Sequence, residues 1–224
     1  MDWREARIHV IDFEGTSRSG VVEFGAVTLY GGLLLESRTA LCAPTGEVAG
    51  ADLRVHGIQE TDTSGLDSFG AHFDTFVQLR RTGPLCAHHA SVEMNLLKDT
   101  WPYPGEVPDF PAGPGRPCNS WGPLLDTRRI YAALYPDLAS TALADLLERF
   151  DLVQRLKQLA EERCPPRRRK THCALFDALG AALLLLRLAE EPDLARLRLE
   201  QLFAFSGTSG PGESPEGNQG ELAL

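Results

Sequence analysis

Two carboxylates stand two residues apart at the end of an apolar, β-branched run, Ile8-His9-Val10-Ile11-Asp12-Phe13-Glu14. Side chains alternate faces along a strand, so Asp12 and Glu14 share a side with Ile8 and Val10. Two unit charges ~4 Å apart repel by roughly 4 kcal/mol at an effective dielectric of about 20. Such a pair calls for a divalent cation or a shifted pKa, and oxygen ligands favour Mg²⁺ or Mn²⁺. The same spacing also occurs at solvated strand ends, so this pair by itself decides nothing.

A second group lies far along the chain, in His172-Cys173-Ala174-Leu175-Phe176-Asp177. The histidine precedes an apolar helix and the aspartate falls one turn inside it. Asp177 is followed by Ala178, Leu179, Ala181 and Leu183, and a carboxylate in such surroundings persists only when paired or metal-bound. Taken alone, His172 reads as a helix-start residue. Directly before it, Arg163, Arg167, Arg168, Arg169 and Lys170 form the strongest basic cluster of the chain, placed either for phosphate contacts or as the solvated face of a loop.

These residues need a scaffold. The run from Arg7 to Asp12 reads as a strand, followed by Gly20 to Tyr30 and Leu33 to Cys42, joined at Gly31-Gly32 into a three-strand meander. A helical face over Ser68 to Arg81, a short strand over Pro84 to Ala87 and a helix over His89 to Thr100 give an α/β order. Trp101 to Pro123 is rich in proline and glycine and reads as a long surface loop. Helices are expected over Thr127 to Tyr135, over Ser140 to Glu162 with a break near Asp151, over Ala174 to Ala189 and over Asp193 to Phe203. The expected organisation is one domain over 1–205 and a disordered tail over 206–224, where Gly, Ser, Pro and Glu offer too little apolar surface to offset ordering.

Composition narrows the class. The chain has 224 residues, 43% hydrophobic and 24% charged, an ordinary globular balance with no run near the ~20 apolar residues of a membrane span. Its start lacks the pattern of a secretory signal, which points to the cytoplasm. Five scattered cysteines suggest neither a disulfide framework nor a zinc site. A net charge of −9 argues against binding nucleic acid mainly through the overall field, but not against local engagement of a strand end through a basic groove and bound cations.

The ordered motifs resemble the DEDDh 3′-to-5′ exonucleases, which include proofreading subunits of bacterial replicative DNA polymerases. The resemblance runs from about Ile8 to Leu188. It rests on Ile11-Asp12-Phe13-Glu14 with Val22-Glu23-Phe24-Gly25-Ala26-Val27, on Leu85-Cys86-Ala87-His88-His89-Ala90-Ser91-Val92-Glu93, and on His172 with Asp177. Val55-His56-Gly57-Ile58 and Asp126-Thr127 are lesser matches. The resemblance implies a ribonuclease H-like exonuclease fold, α/β with a mixed central sheet flanked by helices. It further implies that Asp12, Glu14, Glu93 and Asp177 bind two divalent cations, Mg²⁺ or Mn²⁺, with His172 as general base. Phe13, Gly15, His56 and His89 fall where the family meets the terminal nucleotide, whereas Glu23 reads as structural.

The implied reaction is stepwise hydrolysis from the 3′ end of DNA or RNA, single strands foremost, with the tail or the Pro/Gly segment as a place for a protein partner. This chain departs from the family pattern at Glu93, where aspartate is usual, and at His89, Val92 and Gly15, where asparagine, an aromatic residue and threonine are usual. Two alternatives follow: an oligoribonuclease-like RNA exonuclease, and a non-catalytic nucleic-acid or protein-binding module on the same fold.

Overall fold

The computed structural model describes residues 1–113 and 115–207. Three antiparallel strands, β1 (Ile8–Thr16), β2 (Gly20–Tyr30) and β3 (Leu33–Leu41), form the expected meander. Two short strands, β4 (Leu85–Ala87) and β7 (Leu125–Asp126), extend it in parallel, giving the order β3-β2-β1-β4-β7. The sheet is mixed, as expected. Its parallel strands β1, β4 and β7 end on one side, the place where open α/β sheets bind ligands.

Helices cover both faces. Between β3 and β4 run α1 (Gly50–His56), α2 (Glu60–Thr63) and α3 (Phe73–Thr82), of which the first two carry little apolar periodicity and are not legible in the sequence. α4 (Ser91–Thr100) follows β4. After β7 come α5 (Thr127–Leu134), α6 (Leu143–Arg149), α7 (Val153–Arg163), α8 (Ala174–Glu190) and α9 (Leu199–Phe205). The expected break near Asp151 falls between α6 and α7, where Asp151 has φ +56°, a conformation that ends a helix. Turns occupy 192–196 and Arg198 bridges Asp2, so the last helix starts later than Asp193.

Strand alternation sorts β1 into two cores. Ile8 and Val10 pack with Val27, Leu29 and most of α8, while Ile11 and Phe13 face an aromatic cluster of Phe24, Phe69, Phe76 and Trp121. Asp12 and Glu14 continue the α8 side. The expected surface loop over 101–123 is instead partly built into the molecule: β5 (Val107–Pro108) and β6 (Pro117–Cys118) pair within it, and Trp121 is fully buried. Arg80, 1% exposed, donates to the carbonyls of Trp121, Pro108 and Gly122 and lies over the Phe110 ring. A buried cation can hold a segment this way because each N–H finds a carbonyl. Ser206 is buried at the end of α9 and its hydroxyl accepts the Asp126 N–H. The rest of the expected tail, from 208 on, lies outside the described residues.

Candidate active site

Three elements converge at the end of β1. A register shift between Glu14 and Gly15 bends the strand. Gly15 has φ +128°, and a Cβ there would lie 2.2 Å from the Gly20 carbonyl oxygen, so only glycine allows the bend. Asp12 pairs with Gly25 of β2. A Cβ on Gly25 would meet the backbone of Ala174 and Leu175 at 2.4 Å, so the missing side chain lets the first turn of α8 rest against β2. That approach brings Asp177, in the first turn of α8, to the acids of β1.

Glu14, His172 and Asp177 each present a ligand atom, and the three atoms lie within 4.8 Å of one another. The Asp177 carboxylate accepts the backbone N–H of His172 at 2.7 Å, which fixes the residue before the helix. His172 itself is exposed and holds φ +60°. Asp12 and Glu93 lie outside that 4.8 Å group yet share its field. Burial pushes the Asp12 carboxyl well above the usual carboxylate range, and Glu93, Asp177 and Glu14 add to the shift. Burial lifts Glu14 to about 8, with Asp177 and Glu23 contributing and Arg168 opposing. Burial also lifts Glu93 to about 8 and Asp177 to about 7, the latter against the His172 N–H bond that lowers it.

The residues present suit a hard divalent cation. Burial raises all four carboxylates above their ordinary range, and Glu93 Oε2 is buried with no hydrogen-bond partner. Carboxylate oxygens are the donors that hard divalent cations take.

The β4–α4 turn is shaped by Asp126, the last residue of β7 and 4% exposed. Its carboxylate accepts the N–H groups of His89, Ala90 and Arg129 at 3.2, 3.0 and 3.2 Å. His89 is thereby held exposed at φ +71°. His88 turns inward: Nδ1 meets Thr127 Oγ1 at 2.9 Å and Nε2 donates to the Thr141 carbonyl at 3.0 Å. A cleft of about 580 Å³ opens beside both histidines, lined also by Arg128 and Thr141. The role of Asp126 as a turn organiser was not legible in the sequence, where only the Asp126-Thr127 match marks it.

Among the other candidates, Phe13 is 6% exposed with its ring 5.1 Å from that of Phe69, so its side chain is a core residue. His56 is 2% exposed. Its Nδ1 accepts the Ile58 N–H at 3.0 Å while Nε2 is buried without a partner, and burial, then Arg168, lowers its pKa. The basic cluster divides. Arg168 bonds Glu23 with both of its forks, and Arg169 donates to the carbonyls of Cys164 and Glu161. Arg163, Arg167 and Lys170 are exposed, and Lys170 Nζ lies 3.8 Å from the position of a Cβ on Gly57.

No family model matches the chain, and no curated protein matches it. Solved structures do. Exonuclease X, in complex with 5′-overhanging duplex DNA, aligns over 89% of this chain and 99% of its own at 18% identity and a TM-score of 0.61. The nuclease domain of 3′hExo, a DEDDh family member bound to rAMP, aligns over 88% of this chain and 98% of its own at 16% identity and 0.62. Exonuclease I of E. coli, in complex with a dT13 oligonucleotide, aligns over 89% of this chain and 43% of its own at 13% identity and 0.52. At such identities the likeness is one of fold: the chain has the ribonuclease H-like α/β fold of these nucleases.

Proposed function

We propose that this chain is a metal-dependent 3′-to-5′ exonuclease that hydrolyses the terminal phosphodiester bond of DNA, or of RNA, and releases nucleoside monophosphates. The observation that carries the reading is the convergence of Glu14, His172 and Asp177 within 4.8 Å, inside a field shared with Asp12 and Glu93. The fold adds support, because the solved proteins that share it act at nucleic-acid ends. Single-stranded 3′ ends are the proposed substrate. All five cysteines are free and four are buried, which supports a reducing compartment such as the cytoplasm.

Asp12, Glu14, Glu93 and Asp177 would hold two divalent ions, Mg²⁺ or Mn²⁺. When bound, such ions supply charge stabilisation to the attacking and leaving oxygens of an in-line displacement at phosphorus. His172 takes the proton of the attacking water on its imidazole, the side chain that most often serves as a general base. The N–H bond from His172 to Asp177 ties the base to a metal-holding acid. As the water oxygen bonds to phosphorus, the bond to the neighbouring nucleotide's 3′ oxygen breaks, and that oxygen takes up a proton to become the new 3′ hydroxyl. The backbone of Phe13 and Gly15, with His56 and His89, would contact the terminal nucleotide, and the exposed Arg163, Arg167 and Lys170 the phosphates behind it.

The test is degradation of 5′- and 3′-labelled single-stranded DNA and RNA with Mg²⁺, Mn²⁺ or EDTA, using the wild type, Asp12→Ala and His172→Ala. Release of the 3′ label as mononucleotide, with stepwise shortening of the 5′-labelled strand, is expected in the wild type only with metal, with Asp12→Ala inactive and His172→Ala slower by ~10²–10⁴-fold. Internal cuts would remove the claim of end recognition. No metal-dependent cleavage of any substrate would favour a binding module on this fold.

A further inference from the structure

We propose that Arg168 is a positioning residue: with Glu23 it forms a buried clamp that holds the His172 loop and the His56 turn in one geometry across the site. Glu23 sits on β2 directly opposite Glu14 and is 2% exposed. A carboxylate so buried persists only with strong partners. It has three donors: Arg168 Nε at 2.9 Å, Arg168 Nη2, and the backbone N–H of Ala174 at 2.8 Å.

The same guanidinium reaches two further segments. Nη1 donates to the His56 carbonyl at 2.6 Å, and Nη2 to the His172 carbonyl at 3.3 Å. One rigid planar group thus joins β2, the end of α1 and the loop residue just before the Cys173 N-cap of α8. A lysine cannot do this, because a single ammonium on a flexible stem lacks the fork that meets a carboxylate and separate carbonyls at once.

The backbone of His172 explains why a clamp is needed. A non-glycine residue in the left-handed region carries backbone strain, and His172 has φ +60°. Its N–H is held by Asp177 and its carbonyl by Arg168. Release of the carbonyl would let the residue relax toward ordinary backbone angles and carry the imidazole away from Glu14 and Asp177. Arg163, Arg167 and Lys170, by contrast, make no side-chain hydrogen bond or ion pair among the described residues, so the positioning role belongs to Arg168 within this cluster.

The kinetic half of the test rests on the nuclease reading, and the exchange half does not. Arg168→Lys keeps a positive charge beside Glu23. The expected result is a kcat lower by ~10–100-fold, the range seen when groups that orient site residues are changed, with KM within about 2-fold and Mn²⁺ affinity by calorimetry unchanged. In a His172→Ala background the same substitution should cause no further loss, because residues acting through one group are not additive. Hydrogen exchange at the amides of His172 and Ala174 should quicken, while that of β1 stays slow. Additive losses in the double variant would overturn the proposal. Unchanged exchange at both amides would also overturn it, even if the wild type proved to have no nuclease activity and the reading of function had failed. Should Arg168→Lys fold poorly, Glu23→Gln, which keeps the shape but removes the charge, gives the same two readouts, with the same results expected and the same results overturning the clamp.

Discussion

Glu93 has one methylene more than the aspartate usual in the family it resembles, and the structure shows how it is accommodated. It lies in the first turn of α4, 4% exposed, with one carboxylate oxygen that no protein group meets. Its place is therefore set by the helix, and its unmet oxygen faces the need for a cation. Glu93→Gln removes a buried charge that burial already lifts to about 8. The metal-free variant should melt several degrees above the wild type at pH 8, while nuclease activity falls by ~100-fold or more; a thermal melt and the labelled-strand assay check both. Other residues at this scale are structural. His9 meets Thr28 and Thr82 hydroxyls with its two nitrogens and burial lowers its pKa to about 4, so it is a neutral core histidine on the face of β1 opposite Asp12 and Glu14.

At the scale of elements, the site depends on how closely α8 approaches β2 and how the turn after β4 is held. Gly25→Ala would place a Cβ 2.4 Å from the backbone of Ala174 and Leu175, atoms that cannot swing aside as a side chain can. The expected destabilisation is about 3 kcal/mol, the upper part of the overpacking range, measurable by urea denaturation. Asp126→Ala removes the acceptor of three backbone N–H groups, two of which shape the turn before Glu93. A loss of about 3 kcal/mol is expected, since each buried donor left unmet costs about 1–3 kcal/mol and a helix cap about 1. The 101–123 segment depends in turn on Arg80. Arg80→Leu leaves its carbonyls unpaired, and limited proteolysis should then cut between residues 102 and 120 at a protease concentration that spares the wild type.

For the molecule as a whole, stability should follow the charge of the site. Glu14, Glu93 and Asp177 have folded pKa values raised to about 8, 8 and 7, so the folded state binds more protons than the unfolded chain once those acids would ordinarily ionise. Metal-free stability therefore falls as pH rises toward 8. His9 and His88 work the other way, because their folded values near 4 leave the unfolded chain with more protons below about 6.5. The carboxylates act without that opposition between pH 6.5 and 8. Across that window the melting temperature of EDTA-treated protein should drop, and millimolar Mn²⁺ should restore it at pH 8 by binding the folded state. A melt that rises over the window would contradict the shared field of the four acids. The net charge of −9 is consistent with this picture, since part of it is gathered at one site.

The sequence by itself determined the β1–β2–β3 meander, the order of the major helices, the break at Asp151 and the side on which Asp12 and Glu14 lie. Those features follow from local rules, alternation along a strand and periodicity along a helix, which each segment carries within itself. The candidate acids and His172 were legible because their residue types and order match a known pattern. Tertiary structure alone decided which groups meet. In the sequence Arg168 is one of five basic residues open to phosphate contacts or a solvated face, and folding sets it instead against Glu23, His56 and His172. Asp126 gained its role because β7 ends beside the turn that follows β4, and the proline-rich segment found its anchor in a buried arginine from α3. Apart from the local bond of Arg168 to the His172 carbonyl, such pairings join residues 28 to 145 positions apart in sequence, and no local pattern records a contact whose partner is brought near only by packing.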